Sequence, residues 1–116
     1  MTAWDGEWYA VKRVFEHPLL KEKNALSNAR YWDGRGLDSP ALLRAAKHWS
    51  SSERALAQLA AELWGFSFGP KQQRISLVDA CGNMGHGAML TVLEAVALRA
   101  GLMPPGHRLA VVKIEA

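Results

Sequence analysis

Cysteine is nearly absent from this chain. Cys81 is the single one in 116 residues, so no intramolecular disulfide can form. A lone thiol points to a reducing compartment, with the cytoplasm as the default. Long apolar runs are missing too: the longest mostly apolar stretch, 88–98, is interrupted by Thr91 and Glu94 and is too short to cross a bilayer. Membrane partners are therefore not expected. The first residues carry Asp5 and Glu7 where a secretory signal needs positive charge followed by an apolar run, so export by that route is not supported. No internal repeat or low-complexity tract occurs.

Concentrated charge of one sign is also lacking. The net charge of +3 comes from 14 basic and 11 acidic side chains. They are spread as five and four over residues 1–30, four and four over 31–70, and five and three over 71–116. A protein held by phosphate neutralisation usually gathers its Lys and Arg on one face, and the linear sequence carries no such footprint. Against these absences stand a hydrophobic content of 49% and a charged content of 22%, which supply a core and argue against intrinsic disorder. The length suits one compact domain, residues 1–116.

Periodicity divides the chain into elements. Trp4, Trp8, Val11 and Phe15 fall at helical spacing, although Tyr9, Val11 and Phe15 would also line one face of a strand; helix is preferred. His17-Pro18 ends that element, because a residue preceding proline is pushed out of the helical region. Residues 19–39 read as the longest loop, with room for a short helix over 19–26 and a surface turn at Asp33-Gly34-Arg35-Gly36. Ser39 as cap and Pro40 at the first position open a helix with Leu42, Leu43, Ala46 and Trp49 on one stripe, ending near His48. Ser50–Ser52 then offer capping hydroxyls to a second helix, with Leu56, Leu59, Ala60 and Leu63 on its stripe and Gly65 as terminator.

Beyond this pair, Ile75, Leu77 and Ala80 have strand character. Residues 87–100 form a helix apolar around most of its surface, and 108–115 read as a terminal strand. The fold class expected is α+β and helix-rich: a helical pair over about 40–64 plus a strand-helix-strand unit over about 73–115. If the two strands are neighbours, they pair in parallel with a right-handed crossover. A helix apolar on most of its circumference is expected to be central and well buried.

Three sets of residues invite a functional reading. The first is the glycine-rich turn 82–87, in which Gly82, Gly85, His86 and Gly87 would present backbone amides and a helix N-terminus to an anion. Its spacing matches neither the dinucleotide fingerprint nor the nucleoside-triphosphate loop, and an ordinary turn with unusual dihedrals is the preferred account. Asp79, Cys81 and His86 flank that turn, but three residue types do not make a catalytic triad. The remaining histidines, His17, His48 and His107, are too scattered for a metal site. No catalytic residue, metal or cofactor is assigned, and an enzyme is not favoured.

The second set is Lys71, Arg74, Arg108 and Lys113, placed near the two expected strands, which would contact nucleic acid. The third is Trp32, Trp49 and Trp64, an aromatic surplus that either completes the core or faces a partner. The reading preferred is a non-enzymatic interaction module that binds a protein partner or itself as a homo-oligomer. A nucleic-acid accessory role, or ligand binding at the 82–87 turn, stands behind it.

Overall fold

A computed structural model describes residues 5–66, 82 and 84–109. Helix α1 (Asp5–Phe15) settles the N-terminal choice in favour of helix, because Ala10, Val11, Val14 and Phe15 form one buried stripe. After the break at His17, α2 (Pro18–Lys21) is a single turn whose first backbone N–H groups include Leu19, which donates to His17 Nδ1 at 3.2 Å. A short 3-10 turn (Ala29–Tyr31) leads into β1 (Trp32–Asp33) and β2 (Gly36–Leu37), a two-stranded antiparallel hairpin with Trp32 opposite Leu37 and Asp33 opposite Gly36. The segment 19–39 is thus not one loop. It is tied by Asp33 and Tyr31, whose acceptors take the Arg35 and Asp38 backbone N–H groups.

The helical pair is α3 (Ser39–Ala46) and α4 (Ser51–Trp64). The cap of α3 is Asp38 rather than Ser39, its carboxylate accepting the Ala41 N–H at 3.1 Å, so the helix begins one residue earlier than the serine signal suggests. Ser50 caps α4 with a reciprocal pair: its hydroxyl accepts the Glu53 N–H, and the Glu53 carboxylate accepts the Ser50 N–H at 2.9 Å. The hydrogen bonds from the Ser50 backbone and hydroxyl, aided by Lys23, hold the Glu53 carboxyl below its ordinary pKa. Gly65 closes the helix at φ 105°, a left-handed conformation costly for other residues.

The last element among the described residues is α5 (His86–Arg99). Helix α1 packs on both α4 and α5, which also touch each other, and α3 packs on α4. The small residues Ala55, Ala57, Ala60 and Ala61 on α4 let these helices come close, and among the described residues Val11, Val14, Phe15, Leu20, Leu42 and Leu56 are the largest fully buried side chains. The chain is helix-rich α+β as the pattern implied. The strand expected at 73–79 lies outside the described residues, as does most of 108–115, while Arg108 and Leu109 are not in a strand. Among the described residues, no helix is long and apolar enough to cross a membrane.

One expectation is corrected. Helix α5 buries Ala88, Val92, Ala95 and Leu98 but leaves Leu93 and Val96 54% and 48% exposed, so it lies at the edge of the helical layer and not at its centre. Among the described elements α1 and α4 make its main contacts, and both lie on the side away from Leu93 and Val96.

Trp32 is the junction of the core. Its ring meets Trp8, Trp64 and Phe15 edge to face at centroid distances of 5.4, 5.6 and 5.9 Å, and its Nε1 donates to the Ala25 carbonyl at 3.0 Å. Each such ring pair contributes about 1 kcal/mol beyond its buried area. Gly36 lies beneath the Trp64 ring at φ 124°, and a Cβ there would overlap the indole. Gly36→Ala is therefore expected to destabilise the chain by about 2 kcal/mol or more in urea denaturation, from left-handed strain and displacement of Trp64. Gly34→Ala, where a Cβ meets nothing within 4 Å, should cost far less.

Burial holds the His17 imidazole below its ordinary pKa of 6.5, and its Nδ1 is already committed as an acceptor. Since the unfolded chain then binds a proton that the native one refuses, stability falls as pH drops below about 6.5. Melting temperatures measured from about pH 7 to pH 5 should fall less steeply in His17→Asn, which keeps a capping acceptor but does not titrate.

Candidate functional site

Glu94 is the anomaly of α5, a carboxylate in a helix otherwise dominated by apolar residues. Its side chain is 4% exposed and faces α1, where Arg13, 8% exposed, donates from Nη1 to Glu94 Oε2 at 2.7 Å. The same Arg13 nitrogen donates to the His107 carbonyl at 3.1 Å, and the Leu109 N–H donates to Glu94 Oε2 at 3.3 Å. A buried charge is tolerated only when paired and hydrogen-bonded, and this pair meets that condition by recruiting the backbone that follows α5. No buried side-chain nitrogen or oxygen among the described residues lacks a partner.

That backbone returns toward α1 through the turn Pro104-Pro105-Gly106-His107, closed by the His107 N–H on the Pro104 carbonyl at 3.3 Å. Gly106, third in the turn, has φ 88°, the left-handed value that a type II turn asks of this position. The turn and the Arg13–Glu94 pair together set Arg108 beside α1. Two cavities adjoin there, both bordered by Glu16 and Arg108. One, of about 360 Å³, is lined also by Tyr9, Lys12, Arg13 and Leu98. The other, of about 440 Å³, is lined also by Phe15, Lys21, Asn24 and Ser27. Lys12 approaches Glu16 at 3.9 Å, a loose surface pair. Among the described residues, neither Lys21 nor Arg108 forms an ion pair.

The residues singled out from sequence fall into different places. Gly82, Gly85, His86 and Gly87 are all exposed. Gly85 is the N-cap of α5, at φ −66° and ψ 163°, without a side-chain cap, so its backbone is one that any residue adopts. A Cβ at Gly82, Gly85 or Gly87 would meet nothing within 4 Å. Neither close approach nor unusual dihedrals account for the glycine at position 85. Asp79 and Cys81 lie outside the described residues, as do Lys71, Arg74 and Lys113 of the basic set; Arg108 alone of that set is described. Among the described residues, no group of three His, Cys, Asp or Glu side chains is arranged to hold a metal ion.

Trp32, Trp49 and Trp64 are each half-buried and packed on the core. Trp49 meets Tyr31 edge to face at 6.4 Å, and the Lys23 ammonium sits 5.4 Å from its ring centroid. Among the described residues, the large apolar side chains left exposed are others: Tyr9, Leu93, Val96, Leu109 and Leu102, the last 81% exposed. Neither this face nor the Arg13–Glu94 pair was singled out from sequence. A signal for the pair existed, since a carboxylate inside an apolar helix calls for a buried cation.

Comparison with family models, with characterised proteins and with solved structures finds no match.

Breaking the buried pair from one side strands a charge. Glu94→Leu is expected to cost about 3–5 kcal/mol in chemical denaturation, whereas the double variant Arg13→Met, Glu94→Leu should recover most of that loss.

Proposed function

We propose that this chain is a non-enzymatic interaction module that associates with a second copy of itself through the outer face of α5. The observation that carries this reading is the exposure of Leu93 and Val96 on a helix whose opposite side is already buried. Met89, Leu93, Val96 and Ala100 follow at intervals of four, three and four, the spacing that forms a seam between paired helices. The seam carries no charge. Arg99, the nearest cation in sequence, is turned aside by its bonds to Glu7 at 3.1 Å and to the Leu63 carbonyl at 3.0 Å. A two-fold pairing places the same patch on both partners, so an uncharged apolar stripe is self-complementary without further design.

The tryptophans support this reading indirectly. Committed to contacts within the chain, they lend rigidity to the layer that presents α5. The single cysteine makes a reducing compartment such as the cytoplasm the expected setting.

Sedimentation velocity and light scattering across the micromolar range test the proposal. The wild-type chain is expected to sediment as a dimer, and Leu93→Glu with Val96→Glu as a monomer with an unchanged far-ultraviolet circular dichroism spectrum. A wild-type chain that stays monomeric throughout, or a dimer that survives both substitutions, would overturn it.

A further inference from the structure

We propose that the paired cavities around Arg108 bind a small molecule carrying two or more oxyanion groups, of the organic polyphosphate or polycarboxylate class. Lys12 borders one cavity, Lys21 borders the other, and Arg108 borders both. Arg13 adds no free charge, because Glu94 neutralises it. Among the described lining residues, the cations available to a ligand are therefore Lys12, Lys21 and Arg108, opposed by the carboxylate of Glu16.

This arrangement selects for two separated anionic groups. One oxyanion sits between Lys12 and Arg108, with the Tyr9 phenol as a further donor, and a second sits between Lys21 and Arg108. Glu16, on the boundary, repels charge placed midway, and Lys12 at 3.9 Å offsets part of that repulsion. The guanidinium suits the shared position, since its planar fork can donate to two oxygens at once. Each cavity falls in the size range of small-ligand sites. The backbone on either side of Arg108 is fixed by the Gly106 turn and the buried pair, so the fold sets the place from which this exposed side chain reaches.

The site borders Leu98, on the buried side of α5, away from the Leu93 and Val96 seam. Ligand binding and self-association can thus fail separately, and the Leu93→Glu, Val96→Glu chain should still bind.

Titration of pyrophosphate, and separately of citrate, into isotope-labelled protein at constant ionic strength decides the matter by amide chemical shifts. At least one probe is expected to give saturable shifts at Lys12, Lys21, Gly106 and Arg108, and the tighter of the two assigns the oxyanion class. Arg108→Ala should weaken binding by about tenfold, and Glu16→Gln should strengthen it. Both positions are exposed, and unchanged melting temperatures would show that the variants stay folded. Shifts that fail to saturate with either probe, or that survive Arg108→Ala and Lys21→Ala unchanged, would overturn the site. So would affinity that rises with the length of an oligonucleotide while pyrophosphate and citrate fail to compete, since that result assigns the surface to nucleic acid.

Discussion

The ion pair between Arg13 and Glu94 constrains more of this structure than any other contact. Two ions removed from water are tolerated only with their remaining hydrogen-bonding capacity satisfied, and here that capacity reaches beyond the two helices to His107 and Leu109. The pair therefore sets the register of α1 against α5, because sliding either helix by a turn would strand both charges. It also holds the chain after α5 against α1. An apolar pair of similar volume could match its stability, but would not specify this alignment or place Arg108 where two cavities meet.

A second constraint lies on another face of α1. Trp32 joins Trp8, Phe15 and Trp64 in a set of edge-to-face contacts, and the two-stranded hairpin exists in the service of that set, since β1 delivers Trp32 and Gly36 of β2 makes room for Trp64. Two strands of two residues have little stability of their own. Their order derives from the tryptophans they hold, which pack on the core and stay half-buried.

Helix α5 connects these constraints to the proposed function. One side is fastened by Glu94 and buried by Ala88, Val92, Ala95 and Leu98; the other presents Leu93 and Val96. The same helix thus anchors the wall of the Arg108 cavities and carries the proposed self-association seam. Separation of the two by the helix circumference allows one surface to be occupied without obstructing the other.

The sequence by itself determined the local elements whose signals are short-range: the α3 and α4 pair, the Ser50 cap, the Gly65 terminator, and the break between α1 and α2 at His17-Pro18. Caps, prolines and apolar stripes act within a few residues, so they are legible without the fold. Sequence alone could not decide which way a broadly apolar helix faces. The periodicity of α5 was too uniform to distinguish its covered side from its open side, and only packing against α1 and α4 made that choice. The tryptophans were ambiguous for a related reason: an indole suits a core and an interface equally, and the fold packs these rings on the core while leaving each half-buried. Arg13 and Glu94, 81 residues apart, were joined only by tertiary structure, because an ion pair depends on proximity in space and leaves no periodic trace along the chain.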